Sequence, residues 1–241
     1  MKTKLKTTAF VAILLLLVPF FAIGQERTLS WDYPVKPGME EWKKLKGVEA
    51  RIKACQIPED ILYSLSTEEL MDLCLRYPFI YDIFAFNSLE HGFDQLFNNF
   101  NGIRELYKRV DVASHLTKRY AQQVQLFSYL DGNHTDAQKG LFMISVSILE
   151  ILLSRIEYSE NSKDILQNLM VGYEKKKHYA EYFKGLGFQT NLFSRGHVII
   201  KMEKSLTEKL PQERRDSLFF SGRLDEESVN LINELSYQLI Q

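Results

Sequence analysis

The sequence holds 241 residues, 45% of them hydrophobic and 25% charged, long enough to bury a substantial core as one domain or two small ones. Thirty basic residues stand against 31 acidic ones for a formal charge of −1, and without a long basic run this balance makes nucleic acid a poor partner. Only two cysteines are present, which excludes a four-thiolate zinc site.

The chain opens on Lys2, Lys4 and Lys6, with no acid before Glu26, and continues into an apolar run from Ala9 to Phe21. Ala22 and Gly24 then put small residues at the −3 and −1 positions that a signal peptidase reads. The run falls short of the ~20 residues a membrane span needs, and no Cys follows the small residues to carry a lipid. The expectation is a cleavable signal peptide over 1–24 rather than a retained anchor, and a mature start at Gln25. The exported chain, periplasmic or extracellular, is then three charges more negative than the full sequence.

Residues 25–38 read as an extended lead-in, because Pro34, Pro37 and Gly38 oppose helix. A helix is expected over 40–55, stopped by Pro58, and a short one from Pro58-Glu59-Asp60. Ser66 with Glu69 forms a capping box for a helix that ends before Pro78. In the aromatic stretch that follows, Leu89, Phe93, Leu96, Phe97 and Phe100 share one helical face and read as core. Asp111 is expected to cap a helix with the stripe Leu116, Tyr120, Val124, Phe127 and Leu130, broken at Asp131-Gly132-Asn133.

Thr135 and Gln138 restart a helix that is apolar nearly all round through Ile144, Ile148, Ile151 and Leu152, which places it at the centre. Ser145, Ser147, Glu150 and Arg155 interrupt this stretch, so it suits a buried helix better than a membrane span. Asn161 or Ser162 caps the next helix, which runs toward Gly185-Leu186-Gly187. After Phe188 a helix carries Val198, Ile199, Met202 and Leu206 to Pro211, and a short helix follows. Asp225 caps the last, with Val229, Ile232, Leu235 and Leu239 as its stripe. No segment alternates like a half-buried strand. The fold class is therefore all-α: an irregular bundle of eight or nine helices over 39–241, with a short α-solenoid of helix pairs as the alternative and a candidate seam at 131–134.

Several phrases of the N-terminal third carry a resemblance. They are Tyr33-Pro34-Val35-Lys36-Pro37-Gly38, Glu40-Glu41-Trp42-Lys43, Cys55-Gln56-Ile57-Pro58-Glu59-Asp60, Leu65-Ser66-Thr67-Glu68-Glu69-Leu70, Tyr77-Pro78 and Asn99-Phe100-Asn101-Gly102. Residues 33–107 resemble a family of uncharacterised exported helical proteins of gut bacteria. That family has no assigned activity, so the resemblance implies an exported helical module and transfers no functional residue.

Chemical motifs are missing. HExxH, GxSxG, a P-loop and Glu-x-x-His are all absent from the sequence. Gly185-Leu186-Gly187 lacks a third glycine and reads as a helix end and turn. Glu174, His178 and Glu181 share a face at i, i+4 and i+7, a spacing that could ligate a divalent metal. They lie opposite the stripe of Ile165, Leu169, Tyr173, Ala180 and Phe183, so a solvated charged face is expected, as it is for Lys175-Lys176-Lys177. His91 lies opposite the stripe of Phe93 and Phe97, His134 sits in a polar turn, and His115 and His197 lie beside apolar positions. Glu150 is the acid of interest, since burial would demand a partner or a raised pKa. Cys55 and Cys74 are a candidate disulfide if export is real; two buried thiols are the alternative.

No catalytic residue, metal or cofactor is assigned. The expected function is a non-catalytic exported helical module that binds a partner protein, a glycan or an envelope component, with no membrane span after signal cleavage. The alternatives are an enzyme whose site is assembled from distant residues such as Glu150 and the histidines, or a carrier enclosing an apolar ligand within the aromatic segment 79–107.

Overall fold

Both capping boxes form where their sequences place them. Ser66 Oγ accepts from the Glu69 amide at 3.3 Å and the Glu69 carboxylate accepts from the Ser66 amide at 3.0 Å. Thr135 and Gln138 exchange the corresponding bonds at 3.3 and 2.9 Å. The structure, a computed structural model, describes residues 31–157, 160–203 and 226–241. The signal peptide, the start of the lead-in, the stretch through Leu206 and Pro211 and the Asp225 cap lie outside the described residues.

The described helices are α1 (Glu40–Lys44), α2 (Gly47–Ala54), α3 (Glu59–Ser64), α4 (Thr67–Leu75), α5 (Leu89–Asn99) and α6 (Asn101–Leu106). They continue with α7 (Val112–Gln125), α8 (Asp136–Ser154), α9 (Ser162–His178), α10 (Leu186–Met202) and α11 (Glu226–Ile240). Two 3₁₀ helices, Ile80–Ala85 and Leu126–Asp131, join them, and there is no strand among the described residues. The protein is an all-α, multi-helix bundle.

Several boundaries differ from the sequence reading. The single helix expected over 40–55 is two, because Leu45 and Lys46 are extended and Gly47 turns at φ +83°, a region glycine enters freely. Phe100 is extended and separates α5 from α6 instead of ending one continuous stripe. Asp111 precedes α7 but makes no side-chain cap. Its carboxylate instead accepts from Thr67 Oγ1 at 2.6 Å, tying α7 to α4, and this bond holds its pKa below the usual range. The helix expected to reach Gly185 ends at His178, and Gly185, at φ +50°, opens α10.

The bundle is organised on α8. Its capped start is polar, and from Ser145 to Ser154 every residue is buried. Alone among the described helices it is long and apolar enough to cross a membrane, yet 61% of its most apolar window is buried inside the fold. Glu150 of α8 meets Thr190 of α10, and Ile156 meets Lys201, so α8 and α10 run parallel. Tyr120 meets Glu150 and Gln123 meets Ser145, which sets α7 antiparallel to α8. Lys176 meets Gly187 and Asn191 meets Leu169, which sets α9 antiparallel to α10. Helix α11 packs on α9 and α10, while α4 packs on α6 and α7 and α5 on the first 3₁₀ helix. Non-sequential pairs such as α8 with α10 make this a bundle rather than a stack of sequential pairs. One core extends from Tyr33 to Ile232, and ring contacts from Phe127 and Tyr129 to Phe142 cross the turn at 131–134.

Candidate functional site

Two polar features lie along α8: a sealed cluster about one turn before its end and an open cleft at its C-terminus.

The cluster centres on Glu150, which is fully buried. Its Oε1 accepts from the Tyr120 hydroxyl and from Asn191 Nδ2, both at 2.8 Å. Its Oε2 accepts from Lys176 Nζ at 2.7 Å and Thr190 Oγ1 at 2.6 Å. Ser194 Oγ donates to the Glu150 carbonyl at 2.6 Å. Lys176 is equally buried and donates a second bond to the Gly187 carbonyl. Burial pulls its ammonium below the ordinary lysine range, and the Glu150 charge opposes that shift. Gly172 makes room for the phenol: a Cβ there would lie 1.9 Å from the Tyr120 hydroxyl oxygen. Asn191 Oδ1 is buried with no partner among the described residues. This geometry corrects the reading of Lys175-Lys176-Lys177 as a solvated face, since Lys176 points inward. Glu150 has the partner that its burial demands, and it is Lys176. With its four acceptor positions filled and no exposure, it offers nothing to a substrate, so the cluster is structural chemistry.

Beside it, Arg195 is buried to 1% exposure, with no carboxylate against it among the described residues. Its guanidinium donates to Ser236 Oγ at 2.6 Å, Asn233 Oδ1 at 2.9 Å and the Ile232 carbonyl at 3.3 Å, and it lies 5.2 Å from the Tyr173 ring centroid. Burial pushes its pKa down to about 10, which leaves it charged at neutral pH.

The cleft, of about 780 Å³, opens between α5, the α6–α7 connection and the C-terminal ends of α8 and α10. Phe93, Phe97 and Tyr107 form an aromatic cluster in it, with Phe93 edge-on to Tyr107 at 5.5 Å. Arg155 crosses its floor 4.7 Å from the Phe93 centroid and pairs with Glu90 at 3.3 Å and with Asp94. Lys201 Nζ donates to the Ile156 carbonyl at 2.7 Å and the Ser154 carbonyl at 3.2 Å, and Tyr107 donates to the Leu152 carbonyl at 2.6 Å. Side chains from two other elements thus satisfy the carbonyls that α8 leaves at its end. His197 Nδ1 lies 3.0 Å from the Phe193 carbonyl, which fixes the neutral tautomer with its proton on Nδ1. Burial, with Arg155 and Lys201 nearby, lowers its pKa to about 4. Val110 lines the cleft and is fully exposed.

The metal-spacing triplet is not assembled. Glu174 pairs with Lys177 at 2.7 Å on the surface, and His178 Nδ1 lies 3.0 Å from the Glu174 carbonyl. Glu181 falls beyond the end of α9, so the three do not share one helical face. Of the other histidines, His91 is beside Gln95 and Phe86, His115 contacts Asp111, and His134 stacks on Tyr129 at 3.6 Å. Cys55 and Cys74 are separate buried thiols, with Cys55 Sγ 3.7 Å from the Val35 carbonyl. Burial pushes the Cys55 thiol up to about 11 and raises Cys74 as well, the opposite of an activated nucleophile.

The chain matches no protein-family model, and no curated protein or solved structure is significantly similar to it.

Proposed function

We propose that this chain is an exported, non-catalytic helical binding module of the kind its N-terminal third resembles, and that the large cleft takes a peptide segment of an envelope protein. Export is supported by the basic start, apolar run and small-residue site over 1–24. The carrying observation for binding is the cleft itself. Side chains of both charges surround an aromatic floor in about 780 Å³, a ligand-sized volume, and Val110 stands fully exposed in its lining. An exposed apolar side chain at a concave site gains most from a partner that covers it. Two of the cleft's cations are already committed: Arg155 to two carboxylates, Lys201 to two carbonyls.

A photo-crosslinking residue at position 110, expressed in the cell that exports the protein, tests this reading. A discrete protein adduct is expected at 110 and none from the same residue at Val171, an exposed position on α9. Equal labelling at both positions, or none at 110, would overturn the cleft as the binding site. The exported chain should begin at Gln25 by intact mass, and retention of Met1 to Gly24 would remove the export half of the proposal.

A further inference from the structure

A second, smaller cavity of about 300 Å³ lies between α2, the first 3₁₀ helix and α5. Ile52, Ile83 and Leu96 give it an apolar wall, and Tyr77, Phe79 and Phe86 line it with aromatic rings. Gly92 fixes the wall: a Cβ there would lie 2.1 Å from the Ile83 carbonyl oxygen, so α5 sits directly on the 3₁₀ helix. The charged residues lining the cavity, Glu49 and Asp82, are both acids. Neither carboxylate has a hydrogen bond or an ion pair among the described residues. Asp82 is exposed as a residue, yet the adjoining apolar wall raises its carboxyl above the ordinary range, which marks a carboxylate short of solvation. The aromatic cluster behind this wall already holds one cation. Arg51 lies 5.4 Å from the Trp42 ring centroid, and Trp42 packs on Phe79 at 5.4 Å.

We infer that this cavity binds an organic cation, an alkylammonium or alkylguanidinium head whose charge meets Asp82 and Glu49 while its stem lies on the aromatic and aliphatic wall. Ring faces attract a cation and carboxylates supply charge-assisted hydrogen bonds, so both halves of the lining favour the same ligand chemistry. The volume sits at the lower end of small-molecule sites, which suits one head group and a short stem. The inference does not depend on the larger cleft.

The test is a titration of the full chain with n-butylguanidinium, followed by the methyl resonances of Val48, Ile52, Ile83 and Leu96. Saturable shifts confined to these residues are expected, with 1-pentanol giving none. Asp82→Asn should weaken binding about tenfold, the loss expected for one charge-assisted hydrogen bond, and Glu49→Gln should weaken it less. Higher salt should weaken binding to the wild type more than to Asp82→Asn. Because Asp82 is exposed, the variant should keep its helical spectrum. Equal binding of pentanol and the cation, unchanged affinity in Asp82→Asn, or shifts centred on the larger cleft would each overturn the inference.

Discussion

Replacing Lys176 by Met removes one charge from the centre of the bundle while nearly preserving side-chain volume. Glu150 is then left without a counter-ion, held by the neutral donors of Tyr120, Thr190 and Asn191. Stranding one member of a buried pair costs about 3–5 kcal/mol. The surviving bonds each contribute about 1 kcal/mol, which places the expected loss near the lower limit, about 3 kcal/mol. For a chain of this size that lowers Tm by about 6–12 °C. Urea unfolding followed by far-ultraviolet circular dichroism measures the loss directly. The double variant Glu150→Leu, Lys176→Met should unfold at higher urea than the two single losses added together require, with a coupling of about 2 kcal/mol. A single-variant cost below about 1 kcal/mol, or simple additivity, would refute the account of the cluster as a mutually dependent pair.

Gly172→Ala should cost at least about 2 kcal/mol, because its Cβ would sit 1.9 Å from the Tyr120 hydroxyl in a packed core; Gly140→Ala, where nothing lies within 4 Å, is the control. His197 has a folded-state pKa of about 4 against an ordinary 6.5, so the unfolded chain takes up the proton first. Stability should therefore fall as pH drops from about 6.5 toward 4, by on the order of 3 kcal/mol from this group. His197→Asn should flatten the unfolding free energy over that window relative to the wild type. Thiol titration should find Cys55 and Cys74 inert in the native protein and both reactive in denaturant without reductant; no reactive thiol would mean a bridge between them. Replacing Glu174, His178 and Glu181 together by Ala should cost less than about 1 kcal/mol, since the one ion pair they make among the described residues, to Lys177, is solvent-exposed.

Features that depend on a few neighbouring residues were readable in the sequence. The capping boxes at Ser66 and Thr135 are written within four residues each, and the stripe of Leu116, Tyr120, Val124, Phe127 and Leu130 is buried throughout. Helix ends set by backbone conformation were less readable, and the break at Gly47 is the example. The polar cluster was half legible. Glu150 stood out because the residues around it are apolar, whereas Lys176 was hidden in a run of three lysines. Its signal lay in spacing: Leu169, Tyr173 and Lys176 fall on one helical face, and all three are buried. Arg195 carried a similar signal between Leu192, Phe193, Val198 and Ile199. The cleft was illegible because its walls come from segments some hundred residues apart, from Glu90 to Lys201.

Arg195 also bears on the order in which the chain closes. It is synthesised 37 to 41 residues before Ile232, Asn233 and Ser236, the groups that take its hydrogen bonds. Until they emerge, the guanidinium keeps its water and α10 cannot settle dry over Tyr173, because an unpaired charge resists burial. Closure of α10 over α9 therefore waits for a late-made helix. Under the export proposed above, that delay would be time in which the polypeptide can still thread a channel unfolded.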